Sequence, residues 1–143
     1  MTEVAAIVTW LADAFPEAGL MPEDRGAFFR WMFFGAGPLE YAVTNASMGF
    51  EVPPDQRGRM GYGSLDRVVR TLRAQLSERP FLCGDAFSAA DLFVGAQAGF
   101  AMERGGMARD EALAAWWERC RDRPAAARAA AKDNALAGGP PRG

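Results

Sequence analysis

The 143-residue sequence contains no histidine and only two cysteines, Cys83 and Cys120. The lack of histidine excludes histidine-based catalytic triads and most zinc sites, so we predict no metal site. Two cysteines do not make a disulfide framework, and we expect both to be buried as small apolar side chains. A reducing, cytoplasmic setting is therefore the expectation.

An excess of basic residues is also missing, because 16 lysines and arginines stand against 18 aspartates and glutamates. Nucleic-acid binding would require a basic stripe, so we expect no nucleic acid as a partner. No apolar run reaches the roughly 20 residues that cross a bilayer. Residues 1–15 lack the basic start of a signal peptide, and we expect no membrane partner either.

Alternation of apolar and polar residues with period two, which is typical of strands, is absent as well. Apolar residues instead recur at helical spacing, and the chain is predicted to be an all-α bundle of about five to six helices without a sheet. The predicted helices cover 3–15, about 23–46, 65–76, 88–105, 110–123 and a short alanine-rich segment from Pro124. A disordered tail is expected at 138–143.

The second predicted helix carries a dense set of aromatic side chains and one internal proline, Pro38. Proline cannot donate to the carbonyl four residues back, so we predict a bend or local break near residues 35–38. Phe29 and Met32 are expected in the core. Trp116 and Trp117 are adjacent and cannot face the same way, so we expect Trp116 in the core and Trp117 partly exposed.

Residues 87–92, "FSAADL", predict a helix start that is specified by several side chains at once. With Ser88 at the N-cap, Asp91 falls at the third helical position and completes a capping box. Phe87 and Leu92 occupy the two positions of a hydrophobic staple. Capping explains Ser88 and Asp91 fully, so we assign them a structural role and predict no catalytic residue.

The segments "FLCGDAFSAADLFV" and "AAWWERCRDRPAAARA" together resemble the helical C-terminal domain of the cytosolic glutathione S-transferases, and the bacterial branches fit best. The residues that match the family's motifs are Phe81, Leu82, Gly84, Phe87, Ser88, Ala90, Asp91, Trp116, Arg119, Arg123 and Pro124. The resemblance implies a helical domain over 19–137.

Residues 1–18 resemble the last helix of the family's thioredoxin-like domain together with the following linker. In the family a Glu-Ser pair opens that helix, and the serine binds the γ-glutamyl carboxylate of glutathione. Glu3 matches the glutamate, but Val4 replaces the serine and has no hydroxyl. Since most of the thioredoxin-like half would precede residue 1, we expect the chain to be a fragment that binds no cofactor, with Glu3 the one remaining candidate for contacting glutathione.

The resemblance further implies that the second helix and the capped helix line the site for an apolar electrophile. The candidate residues are Phe33, Gly37, Glu40 and Tyr41, with Phe100 opposite them. The expected function is the co-substrate-binding half of a transferase that conjugates glutathione to an apolar electrophile, inactive as this isolated chain. The alternative is a non-catalytic helical scaffold or interaction module. The family also implies a homodimer, and the apolar face of the first helix is expected to be exposed (Val4, Ile7, Val8 and Leu11).

Overall fold

A computed structural model of the chain describes residues 1–138. Within them seven α-helices and no strand are found, which confirms the all-α prediction. The helices are α1 (Val4–Ala14), α2 (Arg25–Phe34), α3 (Glu40–Ser47), α4 (Leu65–Glu78), α5 (Ala89–Glu103), α6 (Glu111–Arg121) and α7 (Pro124–Ala137). The predicted short last helix is wrong, since α7 has 14 residues. The predicted tail lies outside the described residues except for Gly138.

Helix α5 forms the centre of the bundle and packs against α1, α2 and α6. Its small residues allow close approach of larger side chains, because a Cβ on Gly99 would overlap the Trp117 ring. Trp116 is fully buried and Trp117 is half-buried, as predicted. The apolar stripe of α4, which includes the buried Val68 and Leu72, closes the core from the other side.

The start of α5 confirms the predicted capping box. The backbone N–H of Ser88 donates to Oδ2 of Asp91 at 3.0 Å, and the Ser88 hydroxyl donates to the same oxygen at 2.8 Å. The other carboxylate oxygen accepts from the Leu82 N–H at 2.8 Å and from the Trp116 indole at 3.1 Å. Asp91 therefore joins the helix start to the preceding loop and to α6.

The predicted staple between Phe87 and Leu92 stays a prediction, because the structure characterises other neighbours of Phe87. Its ring packs edge to face on Phe81, with 5.8 Å between the centroids. The guanidinium of Arg123 lies 3.6 Å from the centroid of the Phe87 ring. Leu92 is 44% exposed. The Phe87 side chain thus joins the start of α5 to the start of α7.

A π-helical turn, Gly35–Leu39, separates α2 from α3 and contains Pro38. The missing N–H of Pro38 would leave the Phe34 carbonyl without its α-helical donor. The chain inserts one extra residue here, as shown by the Glu40 N–H, which donates to the Gly35 carbonyl five residues back. The prediction of a local break near residues 35–38 is confirmed, and the single predicted helix over 23–46 is divided in two.

Asp110 caps α6 and at the same time ties it to α4. Its Oδ1 accepts from the Ala112 and Leu113 N–H groups at 3.1 Å each. Its Oδ2 accepts from Nε of Arg73 at 3.0 Å. Burial alone would raise the pKa of Asp110, but the Arg73 guanidinium and the two backbone donors outweigh it and hold that pKa below the ordinary value of 3.8. The helix start and the tertiary contact depend on one carboxylate.

Candidate binding groove

An open groove of about 970 Å³ lies between α1, α2, the π-helical turn and α5, and we call it the main groove. Its apolar walls come from Trp10, Met21, Phe29, Met32, Phe33 and Phe93. Phe33 is 73% exposed and Phe29 is 42% exposed, so a ligand can reach both rings. A concave, mostly apolar surface with a few polar groups is typical of a small-molecule site.

Four charged side chains line the same groove: Glu3, Asp13, Arg25 and Glu40. The guanidinium of Arg25 donates to Oδ1 of Asp13 at 2.9 Å, so these two charges pair with each other. Glu3 precedes α1 with φ 65°, in the left-handed region that residues with a Cβ seldom adopt. Its carbonyl accepts the first helical hydrogen bond, from Ile7 at 3.0 Å.

A smaller groove of about 240 Å³, the side groove, runs between α3 and the end of α5. Leu39, Val43, Phe100 and Arg104 are among its lining residues. The Arg104 guanidinium lies 5.3 Å from the centroid of the Phe100 ring. Glu40 and Gln97 line both grooves, so they stand at the junction between the two.

The structure distributes the predicted site residues over different surfaces. Glu3, Phe33 and Glu40 meet in the main groove, and Phe100 lies in the side groove. Gly37 and Tyr41 line neither of these two grooves, although Tyr41 is 62% exposed. Ligand binding by any of these residues stays a prediction, because the structure holds no ligand.

The sequence prediction missed several groove residues, and one of its assignments is wrong. Phe29 was expected in the core but lies in the groove wall, because the adjacent Phe28 is fully buried and neighbours on a helix point about 100° apart. Gly35 packs against the groove wall from behind, since a Cβ there would lie 2.8 Å from the Phe93 ring. Trp10, Phe93 and Gln97 carried no sequence signal that separated a groove position from a core position.

The two thiols are unsuited to nucleophilic chemistry at neutral pH. Burial raises the pKa of Cys83 to about 11. A hydrogen bond with Ser88 lowers this pKa in part, and the nearby Asp91 carboxylate raises it further. Burial raises the pKa of Cys120 to about 12, again with a contribution from Asp91. Cys120 is buried as predicted, whereas Cys83 is half-buried. Both thiols stay protonated, and a protonated thiol is a poor nucleophile.

Residues 1–138 contain no cluster of three or more histidine, cysteine, aspartate or glutamate side chains that could hold a metal ion. In the same residues, no helix combines the length and apolar character required to span a bilayer.

Comparison with known proteins agrees with the all-α fold. Residues 55–128, just over half of the chain, match the family model described as "Glutathione S-transferase, C-terminal domain". No curated protein matches the sequence. Among solved structures, the chain is similar to a glutathione transferase from Methylococcus capsulatus strain Bath, with 28% identity and a TM-score of 0.71. That match covers 95% of this chain and 68% of the other.

Proposed function

Because the chain belongs to the glutathione S-transferase family through its C-terminal helical domain, we propose that its main groove holds the apolar co-substrate of a glutathione conjugation. The observation that carries the proposal is the exposed aromatic wall of that groove, above all Phe33 at 73% exposure. Aromatic rings in a concave surface bind apolar molecules through area removed from water and through ring stacking.

This chain alone is expected to provide little affinity for glutathione, the co-substrate of this family. Glu3 is the candidate contact for its γ-glutamyl end, but glutathione carries two carboxylates against one ammonium group, so its net negative charge is repelled by the Glu3 carboxylate. Val4, which follows Glu3, offers no hydroxyl as a donor. Activation of the glutathione thiol requires a donor or a base near the sulfur, and we assign that role to no residue of this chain. The division into 1–18 and 19–137, the absence of activity and the cytoplasmic setting remain proposals.

The proposal is tested with N-phenyl-1-naphthylamine, a neutral dye that fluoresces in apolar sites. The purified chain is expected to bind the dye, and Phe33→Ala is expected to weaken binding about fivefold, since one aromatic face is lost. Phe50→Ala, which removes another exposed phenylalanine (51%) outside both grooves, is the control. Unchanged affinity in Phe33→Ala would argue against the main groove. An equal loss in Tyr41→Ala would favour the face expected from the sequence.

Glutathione binding is measured separately by calorimetry, and conjugation is measured with 1-chloro-2,4-dinitrobenzene. We expect neither heat nor product from the chain on its own. A micromolar affinity for glutathione would contradict the assignment of this chain to the co-substrate half.

The alternative, a helical interaction module, is favoured by one specific observation. Helix α1 exposes Val4 (62%), Trp10 (52%) and Leu11 (43%) along its length. Exposed apolar residues in contiguous patches mark surfaces that pair with another protein or with a second copy of the chain. A homodimer is proposed on this ground and on the family resemblance, and sedimentation is the measurement that tests it.

A further inference from the structure

We infer that the main groove selects an apolar ligand that carries a positive charge, such as an arylalkyl ammonium, and that Glu3 and Glu40 provide the selectivity. The inference rests on the proposed function, since it names the class of ligand for the same groove. It adds a charge preference that the resemblance to the family does not supply.

The first argument is the charge balance of the groove. Three carboxylates and one guanidinium line it, and Arg25 is paired with Asp13 at 2.9 Å. None of the salt bridges found within residues 1–138 involves Glu3 or Glu40. A bound molecule therefore meets two carboxylates that take part in none of these ion pairs, and this arrangement attracts cations and repels anions.

The second argument is the chemistry of the apolar walls. Trp10, Phe29 and Phe33 are all partly exposed, and each presents a π-system to the groove. The face of an aromatic ring carries partial negative charge and attracts an ammonium group, with tryptophan giving the strongest attraction. These walls hold the apolar body of a ligand and also favour a positive head group.

The third argument is a hydrogen-bond acceptor without a donor. Oε1 of Gln97 is buried and has no hydrogen-bond partner among the described residues. Gln97 lines the main groove and shares the junction with Glu40. An unsatisfied buried carbonyl oxygen is unfavourable, and it is relieved by a donor. An ammonium group supplies such donors once the Gln97 carboxamide turns toward the groove, whereas a carboxylate or sulfonate supplies none.

The position of Arg104 confines this preference for a cation to the main groove. Arg104 lines the side groove and lies over the Phe100 ring, so it disfavours an ammonium at that end. The geometry therefore places the positive head group in the main groove near Glu3 and Glu40. An apolar extension of the ligand can pass the Gln97 junction into the side groove.

The test uses three ligands with the same naphthalene ring: 1-naphthylmethylamine as the cation, 1-naphthalenemethanol as the neutral compound and 1-naphthaleneacetate as the anion. Affinities are measured by calorimetry on the purified chain at low salt and pH 7. The amine is expected to bind about tenfold more tightly than the alcohol, and the acetate is expected to bind more weakly than the alcohol. The preference should shrink at 1 M salt, where the screening length falls to about 3 Å.

The double variant Glu3→Gln, Glu40→Gln is expected to bring the affinity for the amine close to that for the alcohol. The matched control is Glu17→Gln, Glu78→Gln, which changes the net charge equally but alters exposed glutamates outside the main groove. This control should keep most of the preference for the amine. Thermal unfolding of both double variants confirms that each is folded, and each single variant is measured beside them.

The outcomes separate the two proposals. Equal binding of the amine and the alcohol would overturn the charge selectivity and leave the apolar groove standing. A preference that survives in the Glu3→Gln, Glu40→Gln variant, or that disappears equally in the control, would also overturn it. If none of the three ligands binds, the proposed function fails together with the inference.

Discussion

The indole N–H of Trp116 donates to Oδ1 of Asp91 at 3.1 Å, although 25 residues separate the two in the sequence. Both side chains are fully buried. The same carboxylate accepts from Leu82 N–H, Ser88 N–H and the Ser88 hydroxyl. Asp91, in the first turn of α5, thus also forms the polar contact between α5, α6 and the loop before α5. A buried carboxylate is tolerated here because all of its neighbours are donors.

Asp91→Ala is expected to lower the free energy of unfolding by about 4 kcal/mol or to prevent folding, since it leaves several buried donors without an acceptor. Ser88→Ala should lose about 1 kcal/mol, the usual effect of removing an N-cap side chain. Urea unfolding followed by circular dichroism measures both. Asp85→Ala, at an exposed position in the preceding loop, is the control and should change stability by less than about 0.5 kcal/mol. Unchanged unfolding of Asp91→Ala would contradict the structural role.

The Asp110 carboxylate makes stability depend on pH in the acid range. Its pKa is lower in the folded chain than the ordinary 3.8, so its contribution is present above about pH 4 and is lost as the pH falls through the folded value. Asp110→Asn retains a good N-cap but loses the charge. We expect this variant to be less stable than the wild type at pH 7 and the difference to vanish near pH 2. Unfolding curves across this range provide the measurement, and Asp66→Asn, which removes an exposed ion pair, should leave the profile nearly unchanged.

Both thiols are expected to react slowly in the folded chain. With a pKa of about 11, roughly a thousandth of Cys83 is thiolate at pH 8, and Cys120 at about 12 is less ionised still. Titration with Ellman's reagent should show little reaction at pH 8 until urea unfolds the chain. In the folded chain, Cys83 should be modified before Cys120, because it is less buried. Rapid modification of both thiols in the native state would contradict the burial of the Cys83 and Cys120 side chains.

Two glycines of the π-helical turn are expected to respond in opposite ways to alanine. A Cβ on Gly35 would lie 2.8 Å from the buried Phe93 ring, so Gly35→Ala should destabilise the chain by about 2 kcal/mol. A Cβ on Gly37 meets no atom within 4 Å, and Gly37→Ala should be neutral or stabilising by up to about 1 kcal/mol. Thermal unfolding compares the two variants directly. Equal destabilisation of both would mean that the turn itself, and not the contact with Phe93, requires glycine.

Self-association through α1 is expected to be weak and to depend on concentration. Leu11 is 43% exposed and does not line the main groove, so Leu11→Glu tests the outer face of α1 without changing the proposed ligand site. Sedimentation velocity over a wide concentration range should show a dimer for the wild type and a shift toward monomer for the variant. A wild-type chain that stays monomeric at high concentration would contradict the proposed pairing.

Helix starts could be predicted from the sequence because their signals are local. Ser88 occupies the predicted N-cap, and Asp110 caps the helix that was predicted to begin at residue 110. In both places a polar side chain interacts with N–H groups within three residues. The aromatic wall of the main groove could not be predicted in the same way. Trp10 and Phe93 line the same groove only because α1 packs on α5. Helical spacing in the sequence cannot distinguish a ring in a groove from a ring in the core. Phe29 shows the difficulty, since one of two adjacent phenylalanines enters the core and the other does not.

The π-helical turn at Gly35–Leu39 changes the angular phase of the helix that follows it. One inserted residue rotates every later side chain by about 100° relative to an uninterrupted α-helix. A helical wheel drawn through residues 25–47 therefore assigns the wrong direction to the side chains that follow the turn. Deleting Pro38 would restore the ordinary hydrogen-bond pattern only by turning the buried Ala42 away from the core. The length of this turn, counted in single residues, sets which side chains of α3 face α5.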